Sequence, residues 1–453
     1  MDALILAAGD GTRLQPYTLV KPKVMIEIWG VPVLERLLYA LREAGINRTV
    51  IVVCYKKEII KNYFGNNWRG MEIVYKEVDY HDDGILRSAI MGKDVINNRF
   101  VFVCGDTILD PDTVRRAMNG SGDLVVGVRN VNVDESVGAV VDESGKVTSI
   151  GMLKDMKEHN RVVTGLAVVE PSFFEGIEKC IGNNIYDRPC AMQWMVEQGF
   201  DVRALDMTDD NWWEIDNESD LEKAKKEIFE NSWKIRLTSR DINMFKRLFN
   251  LPISLNLVKI IATRTALKPN HLNLISFGFA LLAGILFLYG EFIIGGILAY
   301  SCAMADALDG KLSRLKLLAS PEGGFYDSVC DRGAEIAIVS GLAGGLYQKT
   351  GDPIMLLIGL FAIIGWLGRF YLKELFIHMA GLKAWKSLNP IPFDLCGHRD
   401  VSFFLTMICC LAGYPFVPLA WMAFFGSFFS LINFFCYRKY LIDNPIKEDY
   451  RSR

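Results

Sequence analysis

The chain has 453 residues, with 50 Lys and Arg against 53 Asp and Glu and a formal net charge of -3. So even a balance argues neither for nor against nucleic acid, and no nucleic-acid partner is expected. Mean hydropathy is positive, +0.20, although 23% of the residues are charged, so the charge must be unevenly spread: a soluble first half, then long uncharged runs from about residue 270 onward.

The opening "MDALILAAGD" lacks the basic start of a secretory signal, so the first domain is expected to stay in the cytoplasm. Strands are expected at "ALILAAG", "TVIVVCY", "MEIVYKEV", "RFVFVCGD", "DLVVGV", "GAVVDE", "TGLAVVE" and "DVRALDM". Helical segments such as "VLERLLYALREAG" and "DDGILRSAIMGK" lie between the early ones. Continuous β-branched runs alternating with helices predict a mostly parallel sheet covered on both faces, with ligands bound beyond the carboxyl ends of its strands. The ten cysteines form no C-x-x-C pair and have no regular spacing, so they read as reduced, buried small residues.

After the first strand comes "LAAGDGTRLQPYTLVKPKVMIEIWGVPVLE". Gly9 and Gly11 let the backbone approach a phosphate, and Arg13 and Lys23 add positive charge. Neither a G-K-[ST] phosphate loop nor a G-x-G-x-x-G fingerprint is present, and a glycine loop alone is weak evidence. The whole segment, with "KPK" and "GVPVLE", resembles the sugar-phosphate nucleotidyltransferases over roughly the first 225 residues. "FVFVCGDTIL" and "WWEIDNESDLEKA" fit the same family. The resemblance implies a Rossmann-like α/β domain in which Asp106 and Asp216 hold Mg²⁺ (or Mn²⁺) on a nucleoside triphosphate. It further implies that Leu6, Ala7, Ala8, Gly9, Gly11 and Thr12 bind the nucleotide, Arg13 faces the β- and γ-phosphates and Lys23 the α-phosphorus. Gly84 and Ser88 in "DGILRSA" fall where the family reads the base, and Lys154 where it contacts the sugar phosphate.

Residues 231–266 mix Lys and Arg with Trp, Phe, Leu and Ile, as amphipathic helices on a membrane surface do. A plain interdomain helix is the alternative. Six membrane spans are expected beyond it, starting near residues 270, 292, 324, 354, 400 and 416. His271 to Gly290 is a 20-residue uncharged run, and Val401 to Tyr437 is uncharged over 37 residues with "GYPFVP" in its middle. The turns "LYGE", "YQKTGDP" and "GYPF" carry one Lys, whereas Lys311, Arg314, Lys316, Arg369, Lys373, Lys383, Lys386, Arg399 and "YRKY" fall on the other side. The positive-inside rule then puts both termini in the cytoplasm.

Asp306, Asp309, Asp327 and Asp331 stand at the edges of two of these spans. An Asp at the centre of a membrane helix costs about 2.5–3.5 kcal/mol on insertion scales. Spacings of three and four put each pair on one helix face, and two facing pairs need a shared divalent cation to relieve their repulsion. Gly310 and Gly323 leave room for a nucleotide. Structural ion pairing with Lys311, Arg314 and Arg332, or a cation path, are the competing readings.

The spacing D-x-x-D-G-x-x-S-R, eight residues, G-x-x-x-D-x-x-x-D resembles the signature of the CDP-alcohol phosphotransferases, with Ser313 where the family usually has Ala. The resemblance implies an all-α six-helix membrane domain in which Asp306, Asp309, Asp327 and Asp331 surround Mg²⁺ (or Mn²⁺) and the CDP diphosphate. Gly310, Ser313 and Arg314 would contact the nucleotide, and Asp331 would be the general base. Arg369, Lys373 and Arg399 together could bind an acceptor carrying its own phosphate, or act as snorkelling anchors. The chain therefore divides into a nucleotidyltransferase domain (1–230), a membrane-surface linker (231–266), a phosphotransferase domain (267–440) and a cytoplasmic tail (441–453).

Fusion of the two resembles a bifunctional family that makes CDP-inositol from CTP and inositol 1-phosphate and then transfers inositol phosphate to a second inositol 1-phosphate. The resemblance implies a precursor of a compatible solute, residence in the bilayer as a multi-pass protein, and a homodimer formed through the membrane domain. A phospholipid head-group transferase with a regulatory first domain, and a transporter, are the rivals.

Overall fold

The computed structural model describes residues 1–79, 84–130, 137–234, 251–388 and 399–444. The chain forms two compact units, Met1–Phe229 and Glu230–Arg453. Residues 235–250 of the linker, Gly397 and His398, the last nine residues, and the side chains of Lys383 and Lys386 lie outside the described residues.

All eight expected strands form in the first unit, within a ten-stranded sheet. At its centre Asp2–Ala7 pairs in parallel with Arg48–Val53 and with Phe100–Cys104. Alternation along these strands feeds two separate cores. Ala3, Ile5, Ile51 and Val103 pack on one side, while Leu4, Leu6, Val52 and Phe102 pack on the other. A strand buried on both faces has no polar positions, which is why these runs are continuously apolar.

The sheet is mixed where a mostly parallel one was expected. Arg161–Val169 runs antiparallel to both Phe100–Cys104 and Leu124–Arg129. Val147–Met152, unforeseen from its polar pattern, forms a hairpin with Val137–Val141. The Asp142 side chain closes that turn by accepting from the amides of Ser144 and Lys146. A second correction concerns the cysteines. Cys180 and Cys190 are disulfide-bonded, because the helices Phe173–Gly182 and Arg188–Glu197 fold back on each other across a short loop.

The second unit is helical. Pro269–Leu288, Phe292–Leu315, Ile354–Ala380 and Phe416–Asp443 are long and apolar enough to cross a membrane. Among the described residues four of the six expected spans meet that measure. Pro321–Thr350 carries too much charge in its first half, and Arg399–Leu411 has only 13 residues. Packing depends on absent side chains: a Cβ on Gly341 would lie 2.2 Å from the carbonyl oxygen of Gly284, so Pro269–Leu288 and Pro321–Thr350 touch backbone to backbone. Outward faces are apolar, with Leu282, Ile285, Leu360, Phe361, Phe424 and Leu431 all exposed. Such a surface suits lipid rather than water.

Candidate active sites

In the first unit, the chain leaves the central strand at Ala7 and turns through Gly11 at φ 67°. A side chain at Gly11 would meet Lys23 Cβ at 2.8 Å, and Thr18 Oγ1 donates to the Gly11 carbonyl at 2.9 Å. The loop carrying Leu6, Ala7, Ala8, Gly9, Gly11 and Thr12 is therefore folded directly over Lys23. Asp106 follows the strand Phe100–Cys104, and the Gly105 amide donates to the Leu6 carbonyl at 2.8 Å. Asp216 arrives from much later in the chain because Trp212–Glu214 pairs antiparallel with Thr107–Leu109. Ile215 then donates its amide to the Asp106 carbonyl at 3.1 Å.

The two carboxylates meet on one ammonium. Lys23 Nζ lies 2.5 Å from both Asp106 Oδ2 and Asp216 Oδ1. Burial alone would depress the Lys23 pKa, but Asp106 and Asp216 outweigh it and hold the group above the ordinary lysine range. Arg13 stands at the rim, 77% exposed and 3.9 Å from Asp216 Oδ2.

Asp106 Oδ1 is buried with no hydrogen-bond partner among the described residues. It also belongs to a group, with Cys104 and Glu214, whose ligand atoms lie within 4.8 Å of one another. Burial, with Asp106 and Glu214 nearby, pushes the Cys104 thiol up to about 12, and sulfur is a softer donor than Mg²⁺ or Mn²⁺ prefers. The carboxylate oxygens that remain are the hard donors Mg²⁺ or Mn²⁺ takes. Sequence reading missed Glu214, although its place two residues before Asp216 on a short strand was a usable signal.

Gly84, at φ 116°, and Ser88 flank the first turn of the helix Ile85–Ala89. A Cβ at Gly84 would fall 2.3 Å from Tyr186 Cβ, and Arg87 lies over the Tyr186 ring while donating to its hydroxyl at 3.0 Å. Tyr186 thus braces the expected base-reading segment from the loop between the disulfide-linked helices. Lys154 is exposed on a short turn, Leu153–Asp155.

In the second unit, the helix Phe292–Leu315 carries Asp306, Asp309, Gly310, Ser313 and Arg314, and Pro321–Thr350 carries Asp327 and Asp331. Ser320 caps the latter by accepting from the Gly323 amide at 3.0 Å. Carboxylate oxygens of Asp306, Asp309 and Asp327 lie within 4.8 Å of one another. Three hard oxygens converging on one point suit a divalent cation.

Asp331 is placed differently. The Arg399 guanidinium, from the helix Arg399–Leu411, pairs with both Asp306 and Asp331. Arg332 adds a contact to Asp331 at 3.7 Å and one to the buried Glu335 at 2.6 Å. Arg399 is therefore brought into the carboxylate cluster. Arg369 instead lies over the Phe429 ring at 5.5 Å, and Lys373 over Trp385 at 5.0 Å. Ser313 Oγ donates to the Gly310 carbonyl, and Arg314 Nε to the Ser232 carbonyl at 2.7 Å. Asn273 was not foreseen: it donates to Asp309 from a neighbouring helix.

The profile of the nucleotidyl transferase family matches residues 2–226, and that of the CDP-alcohol phosphatidyltransferase family matches residues 266–432. A bifunctional IPC transferase and DIPP synthase of Aquifex aeolicus is 26% identical, aligned over 91% of this chain and 92% of its own length. The protein of the same name from Archaeoglobus fulgidus is 27% identical over 96% of this chain and 82% of its own length. A UTP–glucose-1-phosphate uridylyltransferase of Haloferax volcanii is 29% identical but covers only 51% of this chain, with 98% of its own length aligned. With both domains present, in this order and aligned nearly end to end with the bifunctional relatives, the chain belongs to the family of transferases that join a nucleotidyl transferase domain to a CDP-alcohol phosphotransferase domain.

Proposed function

We propose that the two domains act in sequence. The first makes CDP-inositol from CTP and inositol 1-phosphate. The second transfers inositol phosphate from CDP-inositol to another inositol 1-phosphate, giving di-myo-inositol phosphate phosphate and CMP. The observation that carries this reading is the presence, in one chain, of two acidic sites each held together by a basic residue: Lys23 between Asp106 and Asp216, and Arg399 between Asp306 and Asp331. The names of the bifunctional relatives supply the substrates.

In the first step a phosphate oxygen of inositol 1-phosphate attacks the α-phosphorus of CTP, the bond from that phosphorus to the α–β bridging oxygen breaks, and pyrophosphate leaves with its electron pair. No covalent nucleophile is needed, so the site must orient reactants and neutralise charge. Lys23 is the cation at the α-phosphate, and exposed Arg13 takes the β- and γ-phosphates. Gly9, Gly11 and the adjoining backbone bind the nucleotide, with Gly84 and Ser88 at the base and Lys154 at the polyol phosphate. Asp106, Asp216 and Glu214 would hold a divalent cation, Mg²⁺ or Mn²⁺, which when bound neutralises triphosphate charge.

In the second step a hydroxyl of the acceptor attacks the β-phosphorus of CDP-inositol, the bond to the CMP oxygen breaks, and Asp331 takes the hydroxyl proton. Asp306, Asp309 and Asp327 would hold Mg²⁺ or Mn²⁺ with the diphosphate, leaving Asp331 free of metal as a base should be. Gly310, Ser313 and Arg314 face the nucleotide, and Arg369, Lys373 and Arg399 the acceptor phosphate. Domain limits at 230, 266 and 440, six crossings counting the two shorter or more charged helices, both termini and both sites in the cytoplasm, and a homodimer complete the reading.

The test uses detergent-purified protein with Mg²⁺, CTP and radiolabelled inositol 1-phosphate. Pyrophosphate, CMP and a soluble doubly labelled product are expected, with CMP release lost in Asp331→Asn. The apolar outer surface of the second unit favours one other reading, a lipid acceptor. CMP appearing only after phospholipid is added would establish that one, and no pyrophosphate at all would overturn the assignment of the first domain.

A further inference from the structure

Three polar residues recur at spacings of three in the first turns of the mostly apolar helix Pro269–Leu288: Asn270, Asn273 and Ser276. Leu274, Leu281 and Leu282, elsewhere on the same helix, are exposed. Each polar residue meets the helices that carry the acidic cluster. Asn270 Oδ1 stands 3.7 Å from where a Cβ on Gly323 would lie. Ser276 donates to the Cys302 carbonyl at 2.9 Å, one turn before Asp306. Between them, Asn273 donates to the Asp309 carboxylate. It is only 3% exposed, and its other amide atom, Oδ1, is buried without a hydrogen-bond partner among the described residues.

A buried amide oxygen without a donor is costly, and native structures rarely leave one. The donor it lacks must come with something that enters the cluster. We infer that Asn273 is a positioning residue for the second site: its amide hydrogens fix the orientation of Asp309, and its Oδ1 accepts from a water in the shell of a divalent cation held by Asp306, Asp309 and Asp327. This rests on the reading that those three aspartates bind a cation. The Gly310 amide also donates to Asp309 Oδ1, so with Asn273 in place the carboxylate is held by two donors. Removing an outer partner of a metal ligand typically weakens metal binding about 10–100-fold.

The experiment uses full-length protein in detergent carrying Asp106→Asn, so that the first site contributes less metal binding. Mn²⁺ affinity is read by the loss of free-ion electron paramagnetic resonance signal. The Mg²⁺ dependence of CMP release from supplied CDP-inositol is measured alongside. Asn273→Leu is expected to weaken Mn²⁺ binding and raise the half-saturating Mg²⁺ about 10–100-fold, with a smaller change in rate at saturating Mg²⁺. Asn273→Thr keeps a short hydroxyl donor and should recover part of the affinity. Should both variants bind Mn²⁺ as the parent does while melting at lower temperature, Asn273 is only a packing residue and the inference fails. Asp309→Ala separates the two claims: unchanged Mn²⁺ affinity there overturns the cation site itself, and the inference with it.

Discussion

The two sites face the same electrostatic problem with different counter-ions. In the first unit a lysine on a loop reaches between two carboxylates, Asp106 and Asp216. In the membrane unit an arginine near the start of a helix bridges Asp306 and Asp331. Lysine is a compact point charge on a flexible stem, able to leave the carboxylates and follow a phosphate. Arginine is a planar fork that fixes the spacing of two carboxylates at once. On the proposed reading the first site exchanges its counter-ion for substrate and metal, whereas Arg399 in the second orients Asp331.

That contrast can be broken most severely at the proposed base. Asp331→Asn is expected to lower CMP release about 10²–10⁴-fold, the usual contribution of general-base catalysis, while pyrophosphate release by the first domain stays at the parent rate. Equal loss in both assays would mean that the substitution disrupts the protein as a whole. Lys23→Ala should cost about 10²–10³-fold in pyrophosphate release, as loss of one charge-stabilising donor does, with CMP release from supplied CDP-inositol untouched.

Arg399→Lys sharpens the comparison directly. It keeps the charge but loses the fork, and a drop of about tenfold in CMP release is expected, one hydrogen bond to a charged group being worth roughly 1.5–3 kcal/mol. An unchanged rate would show that Arg399 supplies charge and not geometry. The smallest effect is expected at Gly84→Ala. Its positive φ and the clash with Tyr186 should destabilise the first unit by about 1–3 kcal/mol, seen as a lower first transition in thermal melting.

Legibility from sequence followed the range of the interaction. The central strands were readable because burial on both faces removes polar positions, as in Asp2–Ala7 and Phe100–Cys104. Val147–Met152 was not, because its pairing depends on the Asp142 side-chain turn. The aspartates of the membrane unit were legible since helical spacing puts each pair on one face. Neither the Cys180–Cys190 bond nor Asn273 could be found this way. One depends on two helices folding back on each other, the other on a helix whose composition speaks only of lipid. Two of the six expected spans fall short of the apolar measure for a related reason: Pro321–Thr350 carries Asp327, Asp331, Arg332 and Glu335 in its first half, and Arg399–Leu411 is short.

The pairing of Trp212–Glu214 with Thr107–Leu109 bears on how the protein is made. It brings Asp216 to Asp106 and Lys23, so a nascent chain that stops short of residue 212 has the central sheet but no complete site. The four described helices long and apolar enough to cross a membrane, from Pro269 on, are translated later. Domains commonly fold as units during synthesis, N-terminal first. The first unit therefore has Lys23, Asp106 and Asp216 in hand before the ribosome delivers the first of those helices.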